Sequence, residues 1–239
     1  MTPHPVFLTA WSCIDESGFR GSAWPTRGEF SSAEHLRTFR WKEISEAPLE
    51  RFPRMDSLSR VCVAAAEMLG GHSAEEGRRA LVLGTASGSE RADFQYERQR
   101  FSAGASPLLF STTLPNIAAG EAAIRKRIKG PTLCILNDEA ASAHALFEAI
   151  TLIADGLADE CIAIIAEAPA DSPERAVAFL FSAQEKPGRY SVRITKDPAA
   201  NPVSPQPIRE AITALEAGAN CRVDAPSSWG VPAILDLVQ

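Results

Sequence analysis

Residues Gly130–Ile150 read GPTLCILNDEAASAHALFEAI and combine a strand, a sharp turn and a helix. The apolar run Thr132–Leu136 predicts a strand that is buried on both faces. Apolar residues then recur at a period of about 3.6 residues, which predicts an amphipathic helix over Ser142–Leu157. The turn between the two elements, at Asn137-Asp138, is of a kind that often presents a nucleophile, yet the residue it carries is Glu139.

The rest of the chain repeats this alternation of apolar strands and amphipathic helices. Strands are predicted at Pro5–Ile14, Ala80–Gly84, Cys161–Ala166, Ala176–Ser182 and Tyr190–Thr195. The last two are expected to form a pair, and antiparallel pairing is one option for it. Helices are predicted at Ser57–Leu69, Asn116–Ile128 and Ile208–Ala217, with Arg91–Phe101 as a helix or loop, Val231–Val238 as a strand or helix, and Asp15–Pro53 as loops with short helical pieces. The pattern predicts one α/β domain over residues 1–239, with a mostly parallel central sheet flanked by helices.

The composition excludes several classes of protein. With 239 residues and 45% hydrophobic content, the chain can bury a sizeable core. A net charge of -6 argues against a nucleic-acid-binding protein, because such proteins usually present a basic face. No apolar run approaches the roughly 20 residues of a membrane span. The N-terminal residues lack the basic region of a signal peptide, so we expect a cytoplasmic protein.

The five cysteines favour neither a metal site nor a disulfide framework. They are scattered, odd in number and form no CxxC pair; they are Cys13, Cys62, Cys134, Cys161 and Cys221. Most lie in or beside apolar runs, where free cysteine behaves as a small hydrophobe. The sequence suggests no cofactor and no metal.

Five landmarks, in order and at compatible spacing, resemble the N-terminal half of the β-ketoacyl synthases. They are MDSLSRVCVAAAEML, LVLGTASGSE, SPLLFSTTLPNIAAGEAAIRKRIKGP, the strand-turn-helix and GLADECIAIIAE. The segment Ser106–Pro131 is the most specific, because its pattern is long and gapless. The resemblance covers about residues 5–195 and implies half of a thiolase-like fold. Residues 196–239 then form a Pro-rich linker over Asp197–Pro207, followed by a C-terminal helix or strand.

The resemblance also implies that this chain lacks the chemistry of the synthases. In that family a catalytic cysteine lies at the turn, and the corresponding position here is Glu139, nine residues after Gly130. The histidines of the synthases' second half have no counterpart, since no HGT-like motif follows Ala166. Condensation needs a thiolate that holds the acyl chain, and a carboxylate could form only a water-sensitive mixed anhydride. It also needs donors for the thioester oxyanion.

This profile resembles the chain length factors, and in particular the short type that accompanies ketosynthases of aryl polyene biosynthesis. Such a chain is expected to be non-catalytic, to form a heterodimer with a complete ketosynthase, and to meet an acyl carrier protein through the complex. Glutamine is a common replacement for the cysteine in these factors, so Glu139 is a departure from the pattern. A stand-alone thioesterase or acyltransferase using Glu139 and His144, and a purely structural scaffold, remain as alternatives.

Two groups of residues are candidates for contacts in such a complex. The segment after Ser-Pro lies near the dimer interface of the resembling synthases, with apolar side chains that reach toward the acyl tunnel. The interface and pocket candidates are Leu108, Leu109, Phe110, Thr113, Leu114 and Asn116. An acidic carrier protein could be steered to basic side chains, and the candidates are Arg51, Arg54, Arg125, Lys126, Arg127 and Lys129. Ordinary packing and a solvated helix face are the competing interpretations.

The remaining signals have structural interpretations as well. A carboxylate at Glu139 is favoured by the helix dipole, with Asp138 as the N-cap. His144 lies one position from the apolar face of the predicted helix, which favours a structural role. The loop Gly84–Glu90 (GTASGSE) matches no phosphate-binding or nucleophile-elbow motif closely, and a plain turn is the preferred interpretation.

Overall fold

A computed structural model describes residues 4–136, 141–185, 190–196, 215, 217, 221–225 and 233–238. One nine-stranded sheet runs through this part of the chain. The strands are β1 (Val6–Asp15), β2 (Gly18–Gly21), β3 (Arg79–Thr85), β4 (Thr132–Leu136), β5 (Glu160–Glu167), β6 (Arg175–Ser182), β7 (Tyr190–Lys196), β8 (Cys221–Ala225) and β9 (Ala233–Val238). The order across the sheet is β4-β3-β5-β6-β1-β7-β9-β8, and β2 pairs with β1.

Seven α-helices belong to the described residues, and two short 3₁₀ turns occur at residues 52–54 and 76–78. The helices are α1 (Ala33–Thr38), α2 (Trp41–Ile44), α3 (Ser57–Glu67), α4 (Glu90–Ala103), α5 (Pro107–Thr112), α6 (Asn116–Arg125) and α7 (Ala141–Ala154). The α/β class with helices around a central sheet is therefore confirmed. None of these helices has the length and apolar character needed to cross a bilayer.

The prediction of a mostly parallel sheet is wrong. Only β3 pairs in parallel, with β4 on one side and β5 on the other. The other described pairs are antiparallel, including those of β6 with β5 and with β1. The sequence pattern identified the helical crossovers that produce the parallel pairs. It did not reveal that the short connection from β5 to β6 contains no helix and therefore reverses the chain.

Two strand predictions also need correction. Strands β6 and β7 were expected as a pair, but both bond to β1, which lies between them. Strand β4 was expected to be buried on both faces, yet it is the last strand at one edge, with Leu133 and Leu136 exposed. An apolar run alone does not distinguish a central strand from an edge strand that a partner covers. Strand β8 was not predicted, while β9 lies within the predicted Val231–Val238 element.

Alternate residues of the central strands divide the core between two helical layers. On one face, Leu81 and Leu83 of β3 pack in a cluster with α3 and α6. On the other face, Ala80 and Val82 pack in a second cluster with α7. Helix α7 ends three residues before Leu157, which was predicted on its apolar stripe but is exposed. The predicted 208–217 helix and the 197–207 linker lie almost entirely outside the described residues.

Candidate functional site

The carboxyl ends of β3, β4 and β5 meet near the turn that resembles the catalytic turn of the synthases. Strand β4 ends at Leu136 and helix α7 begins at Ala141, so the predicted turn falls between these two elements. Asp138 and Glu139, the candidate N-cap and the degenerate nucleophile position, lie outside the described residues. The structure therefore describes this site through the residues on either side of it in the chain and those on the adjacent strands.

The start of α7 is seated closely on β3 at Gly84. A Cβ atom added to Gly84 would lie 2.5 Å from the Ala141 carbonyl oxygen and 2.8 Å from the Ala145 Cβ. Only a glycine allows the helix to approach the strand this closely. The start of α7 is consequently held against β3.

A carboxylate that was not singled out in the sequence holds the loop after β3. Glu167, the last residue of β5, accepts hydrogen bonds from the backbone N–H groups of Ala86 at 2.9 Å and Ser87 at 2.8 Å. The Ser87 hydroxyl donates to the same carboxylate at 2.6 Å. Because Glu167 satisfies these donors, the loop functions as a structural turn, and a phosphate-binding role for GTASGSE is not supported. The sequence offered one indication of Glu167, which is its position directly after the predicted strand Cys161–Ala166.

Of the two neighbouring side chains with catalytic potential, one is buried and the other is partly buried. His144 on α7 is 7% exposed. Cys134 on β4 is partly buried against the core, and burial raises the pKa of its thiol. A raised pKa leaves the sulfur protonated and a poor nucleophile at neutral pH. Neither residue presents a reactive group at the turn.

The other described cysteines are structural, and no metal site forms in the described part of the chain. Cys13, Cys62 and Cys161 are buried, and none of the three forms a disulfide. Burial raises the pKa of the Cys62 and Cys161 thiols. Across the residues that the structure describes, no three His, Cys, Asp or Glu side chains come together as ligands.

The interface candidates lie on a weakly packed surface. Helix α5 contains no buried residue, and Leu108 and Phe110 are 65% and 56% exposed. Leu114 and Asn116 are also exposed, whereas Leu109 and Thr113 are half-buried. The neighbouring helix α4 adds exposed aromatic side chains, since Phe94 is exposed and Phe101 is 79% exposed. The structure thus brings the apolar candidates together with two aromatic residues that the sequence analysis did not name.

Two of the basic candidates form contacts with other parts of the same chain. Arg125 forms a two-pronged ion pair with Glu67, at 2.9 and 2.5 Å, and stacks on Trp41. Lys126 is buried and donates to the Gly70 carbonyl oxygen at 2.5 Å. Burial lowers the pKa of Lys126. These two side chains stabilise the fold and are not free to dock a carrier protein.

The other four basic candidates are exposed. Arg54 and Arg127 lie at the surface, Arg51 pairs with Glu121, and Lys129 pairs with Glu76 at 2.7 Å. A run of basic residues does not by itself reveal which charges the fold uses internally, and this explains the mixed outcome over residues 125–129. The exposed charges come from two segments, residues 51–54 and 127–129.

Comparisons with known proteins agree with this architecture. Residues 31–180 match the model of the β-ketoacyl synthase N-terminal domain. Among solved structures, the ishigamide ketosynthase/chain length factor matches with a TM-score of 0.62 and 21% identity, covering 81% of this chain and 68% of the other. No curated protein sequence matches the chain.

Two further structures extend the comparison. A ketosynthase (ApeO) in complex with its chain length factor (ApeC) from Xenorhabdus doucetiae matches with a TM-score of 0.62 and 16% identity, covering 100% of both chains. A β-ketoacyl synthase from Burkholderia phymatum matches with a TM-score of 0.56 and 15% identity, over 84% of this chain and 66% of the other. At these identities the structures establish a shared fold. With the family match over residues 31–180, they show that the chain belongs to the β-ketoacyl synthase N-terminal domain family, with a thiolase-like fold.

Proposed function

We propose that the chain is a non-catalytic chain length factor, which pairs with a complete ketosynthase and closes the distal end of its acyl pocket. The observation that carries this proposal is the open edge of the sheet at β4. Strand β4 bonds only to β3 among the described strands, and its Leu133 and Leu136 are exposed. The chain enters α4 beside this edge, since a Cβ atom added to Gly88 would lie 3.0 Å from Leu136 Cδ1.

An edge of this kind is best explained by a protein partner. An unpaired strand presents free N–H and C=O groups, and isolated proteins usually protect such edges with charges, prolines or bulges. Here the described edge strand carries apolar side chains instead, in the sequence TLCIL. Contiguous apolar surface on a monomer marks an interaction site. A second subunit would cover both the strand and the helices.

The similar structures support a ketosynthase as that partner. Two of them are described as ketosynthases with a chain length factor, and the match to the ApeO–ApeC complex covers the whole of both compared chains. The resemblance to the short factors of aryl polyene biosynthesis extends the proposal to the product. We infer a polyene or polyketide-type acyl chain, built by the partner and limited in length by this subunit.

The proposed absence of catalysis follows from the residues at the turn. The sequence has Glu139 where the synthases have cysteine, and the nearest thiol, Cys134, belongs to β4 and has a raised pKa. A carboxylate is a poor acyl carrier because its mixed anhydride hydrolyses readily. Condensation is therefore assigned to the partner. An acyl carrier protein would reach this partner through the complex, with Arg51, Arg54, Arg127 and Lys129 as the remaining docking candidates.

The first test is size-exclusion chromatography with light scattering, on this chain alone and on the chain co-expressed with the ketosynthase encoded beside it. We expect a stable 1:1 or 2:2 complex and a poorly behaved lone chain. A well-behaved lone chain that ignores the ketosynthase would reject the proposal. In that case hydrolysis of acyl thioesters by wild-type and Glu139→Ala protein becomes the next measurement.

A second test separates a chain length factor from a passive scaffold. Phe110 is exposed on α5 and contacts Tyr96, with ring centroids 5.6 Å apart. Its replacement by alanine removes bulk from the proposed pocket floor, so Phe110→Ala should lengthen the products of the complex. The matched control is Leu157→Ala, an equally exposed apolar residue outside the α4–α5 region. Unchanged products from Phe110→Ala in an intact complex would leave only a scaffold role.

A further inference from the structure

Helices α4 and α5 form an arm, residues 90–112, that leaves the body of the protein and returns to it. Along the whole arm only Ala92 is buried. The two helices pack chiefly against each other. A segment with so few buried contacts cannot set its own direction through core packing. Its orientation must come from the place where it joins the body.

That place, the root of the arm, is compact. Gly88 just before the arm has a φ of +55°, a conformation that favours glycine. A Cβ atom added there would lie 3.2 Å from Pro115 Cγ, just after the arm, and 3.0 Å from Leu136 Cδ1 at the end of β4. The outgoing and returning chains are thus adjacent to each other and to the edge strand.

The connection between β5 and β6, residues 168–174, forms hydrogen bonds with the first turn of the arm. Arg91 donates from its terminal nitrogen to the carbonyl oxygens of Pro169 at 2.6 Å and Ser172 at 2.8 Å. In the reverse direction, the Ala170 N–H donates to the Glu90 carboxylate at 3.1 Å. These bonds hold the helix start from two sides.

A buried carboxylate also holds Arg91 at this position. Glu174 is 2% exposed, and its carboxylate lies 3.1 Å from Arg91 Nε and 3.8 Å from Arg37 Nε. A buried carboxylate is costly unless a cation accompanies it. Arg60 also interacts with Glu174, but Arg91 forms the shorter of its two ion pairs, so moving Arg91 away would leave only the more distant Arg37 and Arg60. The arm therefore has a preferred direction in which Arg91 stays between the backbone carbonyls and Glu174.

We propose that Arg91 and Glu174 are positioning residues for chain length. They fix the direction of the arm and thereby the depth to which Phe110 and its neighbours reach into the partner's acyl pocket, without touching the acyl chain. This inference rests on the proposed function of the chain. It predicts that the two residues affect product length although neither belongs to the apolar interface candidates.

The first experiment measures amide hydrogen exchange over residues 90–112 in the complex with the ketosynthase. Arg91→Ala should accelerate exchange in the arm about tenfold, because the root no longer restrains it. The matched control is Arg98→Ala, which removes the same side chain from an exposed position on the same helix. Equal exchange in the two variants would overturn the proposal. If Arg91→Ala does not fold, Glu174→Gln tests the same restraint with nearly unchanged side-chain shape.

The second experiment compares the products of the same complexes. For Arg91→Ala or Glu174→Gln we expect a broader distribution, with at least about a threefold change in the ratio of the two longest chains, and a wild-type distribution for Arg98→Ala. If Phe110→Ala changes product length and these two variants do not, the positioning role is rejected and the chain length factor survives. If none of them changes product length, the proposed function itself fails. Arg91→Lys should restore the wild-type ratio only partly, since lysine lacks the planar fork.

Discussion

At the scale of single residues, Gly84 shows how little space separates the helix after the turn from the sheet. Its missing side chain lets the Ala141 carbonyl and the Ala145 methyl group approach β3. Without this approach, the start of α7 could not lie so close to β3. Gly84, the first of the two glycines in the GTASGSE run, thus serves packing.

We predict that Gly84→Ala lowers the free energy of unfolding by about 1–3 kcal/mol, the usual cost of an overpacked core. The added methyl group would have to displace backbone at the start of α7. Urea denaturation of both proteins measures the effect. Gly120→Ala on α6 is the control, since no atom lies within 4 Å of its added Cβ. That variant should be neutral or slightly more stable because alanine favours helix.

A buried carboxylate at the opposite end of β5 makes stability depend on pH. Burial raises the pKa of Glu160, but hydrogen bonds from His72 at 2.9 Å and from Ser73 outweigh this effect and lower its pKa to about 2. A lowered pKa in the folded state means that the unfolded chain binds a proton first as the pH falls. The stabilisation is complete above the ordinary pKa of 4.5 and is lost as the pH falls toward 2.

We therefore expect the urea midpoint of the wild-type chain to decrease steeply between about pH 5 and pH 3. The full contribution is on the order of 3 kcal/mol, since each pKa unit corresponds to about 1.4 kcal/mol. Glu160→Gln should be less stable at pH 7 and show a flatter profile. Glu75→Gln, at an exposed neighbouring position, should retain the wild-type slope. Parallel slopes for all three proteins would contradict the assignment.

At the scale of elements, α3 shows a helix whose beginning depends on one side chain. The Asp56 carboxylate accepts from the Leu58 N–H at 3.1 Å and from the Ser59 hydroxyl. Burial raises the pKa of Asp56 despite these bonds. The helix places Leu58, Val61 and Cys62 in the larger core cluster, so its start determines the register of that packing.

We predict that Asp56→Ala costs about 1–2 kcal/mol of stability, the usual effect of removing an N-cap. Asp56→Asn should restore most of this loss, because its side-chain oxygen still accepts from the Leu58 N–H. Thermal unfolding followed by circular dichroism measures both variants. An alanine variant as stable as the asparagine variant would show that the cap contributes nothing.

At the scale of the whole molecule, the open edge at β4 is the feature that the proposed partner must cover. Leu133 and Leu136 are exposed in the single chain and would be buried in a complex. A charge placed there would have to be desolvated on association, at a cost of several kcal/mol.

We expect Leu133→Lys and Leu136→Lys to weaken the complex with the ketosynthase by more than about tenfold. The variants should leave the lone chain folded, since neither side chain is needed in the core. Co-purification yield and light scattering measure the complex, and circular dichroism measures the fold. Leu157→Lys provides a matched exposed position away from the edge. A complex that tolerates all three lysines would exclude this edge from the interface.

The sequence by itself determined the class of fold and most elements, because strand and helix periodicities are local properties. Helices α3, α6 and α7 lie where the apolar spacing predicts them, and the landmarks from Ser57 to Glu167 identify the family. Periodicity also indicated the buried face of α7, although Leu157 at the end of the predicted stripe is exposed. The prediction that Glu139 replaces the cysteine of the synthases rests on counting nine residues from Gly130, which also needs only the local sequence.

The tertiary structure decided the features that depend on distant parts of the chain. Whether TLCIL is central or at an edge depends on which strands lie beside it, and the local pattern is the same in both cases. Likewise, Lys126 is buried and Arg127 exposed within one basic run, because the chain leaves α6 at this point and Lys126 turns inward to the Gly70 carbonyl oxygen. The binding of the β3 loop by Glu167, 80 residues away in the chain, and the pairing of Arg91 with Glu174 arise only when β5 and β3 become neighbours. The local sequence determines periodicity. Contacts between distant parts of the chain determine which charges and strand edges are paired within the chain and which are left for a partner.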